Sequence, residues 1–224
     1  MDIFSAIKIE EIYRYNLKSL VDISKFLGTW ESLTVEKKHE LIELDKPIHE
    51  KKFNLTQQQI IEKLNDPSFW EEYNDKYVYG EITKSGVNKL ANYLKPFTGN
   101  FYDIGSGNGK LLIHLSIITN FEKYTGIEIV EPRHQYALKI NEVIGQPVNF
   151  IRADVLDVDI SDGDFIFLDD LMFPTDLRKK ILKKLPKCYY LTAWQNNIDE
   201  FIENWSIGVA WLETEMDFYL YKKR

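Results

Sequence analysis

The segment Phe101-Tyr102-Asp103-Ile104-Gly105-Ser106-Gly107-Asn108-Gly109-Lys110 runs from a strand-forming stretch into a helix-forming one through three alternate glycines. Glycine accepts positive φ and lets the backbone approach a ligand without a Cβ in the way, so this spacing predicts a ligand-cradling loop at a strand end. A dinucleotide fingerprint wants a small residue where Lys110 stands, which disfavours a pyrophosphate. Asp103 points the same way, because a carboxylate fits poorly beside a diphosphate and well beside an ammonium. Glu128 follows Gly105 by 23 residues at the end of Tyr124-Thr125-Gly126-Ile127-Glu128, where an acid can accept both hydroxyls of a ribose. Asp154, in Arg152-Ala153-Asp154-Val155, can accept from an adenine amine while Val155 lies against the ring.

Three acids that read ammonium, ribose and adenine in chain order describe S-adenosylmethionine. Asp103-Ile104-Gly105-Ser106-Gly107-Asn108-Gly109 resembles the first motif of class I methyltransferases, and Val78-Tyr79-Gly80-Glu81 resembles the signature loop of the Dot (disruptor of telomeric silencing) histone lysine methyltransferases. Tyr79 precedes Asp103 by 24 residues, a separation close to that family's, and the resemblance spans roughly residues 77 to 175. It implies that Tyr79, Glu81 and Thr83 cover the methionine end of the cofactor. It further implies that Glu128 holds the ribose and that Asp154 and Val155 hold the adenine. With Gly105, Ser106, Gly107, Asn108, Gly109 and Asp169, these residues are the expected cofactor-binding set, and no metal is expected. The chain departs from the family pattern where Ile82 stands ahead of Thr83, and where Asp169-Asp170-Leu171-Met172-Phe173 replaces an Asn-Asn-Phe motif.

The activity implied is methyl transfer to a protein lysine, histone or otherwise. An acceptor lysine must lose a proton, so an apolar channel with a nearby proton acceptor is required. Asp169 and Asp170 are the candidate acceptors, Tyr79 and Phe173 complete the expected catalytic set, and Phe173 and Trp194 are the expected channel walls. Two other readings keep the cofactor. Phe167-Leu168-Asp169-Asp170 and Gln195-Asn196-Asn197 place oxygen ligands at adjacent strand ends, which resembles the Mg-dependent catechol-type O-methyltransferases acting on small molecules. A noncatalytic S-adenosylmethionine-binding protein would instead use its N-terminal helices as a partner surface.

The elements that must position these residues are legible from periodicity. Residues 100–104, 123–127, 148–152, 165–168 and 189–193 read as strands, with helices starting at Asn108, Pro132, Pro174 and Ile198. Proline suits a first helical turn, where its missing N–H would have no partner. The alternation predicts an α/β, doubly wound, mostly parallel seven-stranded sheet of the Rossmann-like class I methyltransferase type. Residues 209–213 and 218–222 read as a C-terminal antiparallel hairpin. Residues 1–75 read as a helical N-terminal appendage to a catalytic domain over 76–224. Within the appendage Gly28 stops one helix, Thr56 and Gln59 form a capping box, and Asn65-Asp66-Pro67-Ser68 makes a turn.

The 224 residues carry a net charge of −7, and the first 75 hold ten basic and fifteen acidic residues. That balance argues against phosphate-backbone binding as the main task and favours a protein partner. A single cysteine, Cys188, and the absence of a signal-like start predict an intracellular protein, cytoplasmic or nuclear. No apolar run approaches the roughly 20 residues of a membrane span. Arg178, Lys179, Lys180, Lys183, Lys184 and Lys187 read as a solvated helix face, and His114 as a packed core residue. His39, His49 and His134 are too scattered to argue a metal site. The Asn54 and Asn204 sequons are idle without secretion.

Overall fold

The computed structural model describes residues 2–15, 17, 19–44, 55–63 and 78–224. The turn expected at residues 65–68, the boundary expected between 75 and 76, Asn54 and His49 lie outside them. The helices are α1 (Ile3–Arg14), α2 (Leu20–Phe26), α3 (Val35–Leu44), α4 (Gln57–Lys63), α5 (Lys84–Tyr93), α6 (Lys110–Ile118), α7 (Glu131–Ile144) and α8 (Thr175–Lys184). The strands are β1 (Asn100–Ile104), β2 (Lys123–Glu128), β3 (Val148–Arg152), β4 (Phe165–Leu168), β5 (Tyr189–Thr192), β6 (Glu200–Gly208) and β7 (Glu215–Lys222). They form one seven-stranded sheet in the order β3-β2-β1-β4-β5-β7-β6. β1 to β5 pair in parallel, and β7 runs antiparallel between β5 and β6. The strand order reverses direction between β1 and β4, which opens a crevice outside the carboxyl ends of these strands.

Alternation along β1 sends Phe101 to one face and Tyr102 and Ile104 to the other, and each face has its own apolar layer. One layer holds Leu90 of α5, Leu112 of α6 and Tyr136 of α7; the other holds Ile181 of α8. Sequence periodicity located the first five strands to within a residue. It failed at Ile198, where no helix starts. Trp205, Ile207 and Val209 are buried in alternation with Asn204, Ser206 and Gly208, a period of two that makes β6. Trp205 stacks on Tyr93 and Phe165, which fixes that face inward. The hairpin is therefore β6 with β7, and residues 209–213 belong to the connection between them. Pro132 lies in the first turn of α7, while Pro174 stands one step outside α8, at its N-cap.

Helices α1 and α2 lie against α6 and α7, α3 packs on α2, and α4 is held at β7, where Gln57 Nε2 donates to the Asp217 carbonyl and Asp217 N–H donates to Gln57 Oε1. Tyr13 Oη meets His114 Nδ1 at 3.0 Å, Tyr136 Oη donates to the Tyr15 carbonyl, and Leu20 and Leu41 pack on Val130. His114 is fully buried, and burial with the nearby Lys84 charge pushes it down to about 4, so it is neutral. Gly28, with φ +72°, follows the end of α2. The capping box forms as expected: Thr56 N–H donates to Gln59 Oε1 at 2.8 Å and Gln59 N–H to Thr56 Oγ1 at 3.3 Å. No helix among the described residues is long and apolar enough to cross a membrane.

Candidate functional site

A cleft of about 380 Å³ lies at the carboxyl ends of β1, β2 and β4. Its floor is the glycine loop. Gly105, Gly107 and Gly109 take φ of +81°, +53° and +75°, values that strain any residue with a Cβ. Three hydrogen bonds tie the loop to β2. Gly105 and Ser106 N–H both donate to the Ile127 carbonyl, at 2.9 and 3.0 Å, and Gly107 N–H donates to Glu128 Oε2 at 2.8 Å. Glu128 Oε1 accepts from Val130 N–H at 2.7 Å. Each carboxylate oxygen keeps a second lone pair, so Glu128, which lines the cleft, can still accept from a ligand's hydroxyls.

One wall is a strap of residues 79–83. Thr83 N–H donates to the Gly208 carbonyl and Ala210 N–H to the Glu81 carbonyl, each at 2.9 Å, and Ile82 bridges Val209. Gly80 is required here, since a Cβ would stand 2.4 Å from Trp211 Cζ3. Tyr79 Oη donates to Glu81 Oε1 at 2.6 Å, and the buried Lys110 ammonium donates to the same oxygen at 2.7 Å. The Arg133 guanidinium lies 4.6 Å from the Tyr79 ring centroid. The far wall is Asp154 and Val155 on one side and Asp169, Leu171, Met172 and Phe173 on the other.

The charges under the cleft are acidic and crowded. Asp103 is buried, and burial, Asp169 and Glu128 together hold its carboxyl well above the usual carboxylate range. Burial and then the Asp170 charge push Asp169 up to about 7. Burial pushes Asp170 up to about 6 although the Thr192 hydroxyl and Ala193 N–H donate to it.

Tyr79, Gly105, Glu128, Asp154, Val155, Asp169 and Phe173 share the cleft wall. The remaining expected site residues support it from behind. Glu81 joins Tyr79 to Lys110, Asp103 is buried below the loop, and Ser106, Gly107, Asn108 and Gly109 shape the loop itself. Asn108 Nδ2 also donates to the Leu17 carbonyl at 2.8 Å, tying the loop to the N-terminal segment. Three residues stand elsewhere than expected. Thr83 caps α5, accepting from Gly86 N–H at 3.0 Å, and its hydroxyl donates to Gly208, so it anchors the strap instead of facing the cleft. Asp170 is turned to β5, held by Thr192 and Ala193. Trp194, expected as a channel wall, donates through Nε1 to the Asp170 and Leu171 carbonyls and stacks under Arg178, so it braces the loop from outside.

Sequence reasoning missed Arg133, Met172 and Trp211, all on the cleft wall, and the buried pair of Lys110 with Glu81. Arg133 had a signal, since it stands five residues after Glu128 in the first turn of the next helix. Lys180 of the basic helix also reaches the cleft, so that helix is not wholly a solvated face.

These residues fit an S-adenosyl ligand. The Cβ-free floor at Gly105, two acceptors on Glu128 and an acidic bed suit a sugar and a cation. Trp211 Nε1 on the wall and Ser106 Oγ behind it are buried with no hydrogen-bond partner among the described residues. For a metal the fit is poorer. No three His, Cys, Asp or Glu among the described residues group closely enough to hold an ion, and Asn196 is engaged with Tyr190 Oη and Ile198 N–H.

A family model described as the histone methylation protein DOT1 matches residues 60–186. No curated protein matches the chain. Among solved structures, the PH0226 protein from Pyrococcus horikoshii OT3 is 12% identical over 63% of this chain and 91% of its own, with a TM-score of 0.51. An RNA methyltransferase from Salinibacter ruber, in complex with S-adenosyl-L-homocysteine, is 21% identical over 63% of this chain and 92% of its own, with a TM-score of 0.48. A SAM-dependent methyltransferase from Aquifex aeolicus is 16% identical over 76% of this chain and all of its own, with a TM-score of 0.46.

Proposed function

The chain belongs to the DOT1 histone methylation protein family, and we propose on that footing that it is an S-adenosylmethionine-dependent methyltransferase acting on a protein lysine. The observation that carries the reading is the glycine loop locked to a Glu128 that still has two acceptors in the cleft. The cofactor supplies a methyl group made electrophilic by a sulfonium. The protein's part is to hold the donor carbon and an acceptor nitrogen in line, an effect worth about 7–11 kcal/mol when the geometry is near attack.

Glu128 takes the ribose hydroxyls, and Asp154 and Val155 take the base. Asp103 and Asp169, which ionise more readily with a cation beside them, offer negative charge to the ammonium and sulfonium. Tyr79 on the strap covers this end and excludes water. Leu171, Met172 and Phe173 make the acceptor side apolar, which favours the neutral amine of a lysine over its ammonium. Asp169 receives the lysine proton at its carboxylate, and its elevated pKa of about 7 matches that task near neutral pH. Asp170 and Trp194 hold the backbone that aims Asp169.

The acidic net charge supports a protein acceptor over a nucleic acid. The test is incubation of the protein with methyl-labelled cofactor and a cell lysate, followed by mass spectrometry of the labelled material. Methyl-lysine in a polypeptide, undiminished by excess EDTA, is expected. Label confined to RNA, or to a small catechol-like molecule only when Mg is present, would overturn the lysine assignment.

A further inference from the structure

The amino-acid half of the proposed cofactor carries an ammonium and a carboxylate, and only the ammonium suits the acidic bed of Asp103, Glu128 and Asp169. Their field repels a carboxylate, which needs a cation of its own. Among the described residues lining the cleft the cations are Arg133 and Lys180. Lys180 is exposed on α8, a helix tied to the base end of the cleft where Lys184 donates to the Leu156 carbonyl at 2.7 Å. Lys110, the cation nearest the loop in sequence, is off the wall and committed to Glu81. Arg133 is 3% exposed and lies on the loop side. A Cβ on Gly107 would stand 2.6 Å from Tyr79 Cε2, and the Arg133 guanidinium covers the same ring, so loop, tyrosine and arginine form one column.

Resting on the cofactor reading above, we propose that Arg133 is the carboxylate-binding residue of this site. The guanidinium lies over the Tyr79 ring, 4.6 Å from its centroid. Its hydrogen bonds lie in its plane and leave by the edge, where a planar carboxylate can be met by two parallel N–H groups.

The experiment is calorimetric titration of the wild-type protein, Arg133→Gln and Arg133→Lys with S-adenosylmethionine and with its decarboxylated analogue. Wild type should prefer the carboxylated form by about tenfold or more, the size of a charge-assisted pair. Arg133→Gln should lose that preference, weakening S-adenosylmethionine far more than the decarboxylated analogue, and Arg133→Lys should restore part of it. Equal weakening of both ligands in Arg133→Gln, or an unchanged preference, would overturn the assignment and leave Arg133 a support for Tyr79. If Arg133→Gln does not fold, Arg133→Lys and wild type decide it: a wild type that binds both ligands equally refutes the proposal. A wild type with no affinity for either would refute the cofactor reading and this proposal with it.

Discussion

Asp169 joins burial to chemistry. Its neighbour Asp170 is spent on Thr192 and Ala193, which leaves Asp169 as the one of the two carboxyls on the cleft wall. A carboxyl raised to about 7 is mostly protonated at pH 6 and mostly ionised at pH 8, and only the ionised form accepts a proton. Turnover should therefore rise with pH through about 7 and level off above it. Asp169→Asn should lower kcat by about 10²–10⁴-fold and remove that limb from the pH profile. An Asp169→Asn enzyme with the wild-type profile would place the proton acceptor elsewhere. Asp169 was legible in the sequence because it ends a strand beside the expected crevice. Arg133 was legible only in part, since its spacing after Glu128 is local but its place on the cleft wall is set by the contact with Tyr79, a residue 54 positions away.

The strap and the glycine loop act as two elements pressed together. Gly107 has a positive φ and no room for a Cβ under Tyr79, so Gly107→Ala suffers both backbone strain and a clash. It should cost about 1–3 kcal/mol of stability by urea denaturation and weaken cofactor binding more than Gly28→Ala, whose Cβ would meet nothing within 4 Å. Equal effects of the two substitutions on binding would mean that Tyr79 does not press on the loop. At this scale the sequence was most readable where patterns are local. β1 to β4 carry alternating or continuous apolar runs, and the loop glycines sit at fixed offsets. β6 was misread because the apolar stretch after Ile198 is ambiguous by itself. Its strand identity comes from pairing with β7 and from Trp205 meeting Tyr93 and Phe165, contacts distant in sequence. Thr83 was misplaced for the same reason, since its partner is Gly208.

At the scale of the molecule, helices α1 and α2 are fastened to the sheet through α6 and α7, and His114 with Tyr13 is one fastening. A histidine lowered to about 4 takes up its proton in the unfolded chain first, so stability drains as pH falls from 6.5 towards 4, by about 1.4 kcal/mol per unit. Asp169 and Asp170, raised when folded, act in the opposite sense, losing stability as pH rises from about 4 to 7. The two trends oppose each other across that window. His114→Gln should remove the histidine's share, so that the mutant gains stability on acidification relative to wild type in urea melts between pH 7 and 5. Parallel curves would mean that His114 is not buried neutral. Ligand should act on the whole fold as well. At a hundredfold excess over Kd, a cofactor bound only by the folded state adds about 2.7 kcal/mol and raises Tm.

The function proposed for this protein depends on what fills the cleft above the glycine loop. The most direct measurement is the affinity of the folded protein for S-adenosylhomocysteine, by calorimetry, in wild type and in Glu128→Ala. One molecule should bind per chain, and the substitution, which removes the proposed ribose acceptors and the partner of Gly107 N–H, should weaken binding at least tenfold with the fold retained by circular dichroism. Heatless titration of well-folded wild type, or equal affinity in both proteins, would contradict it.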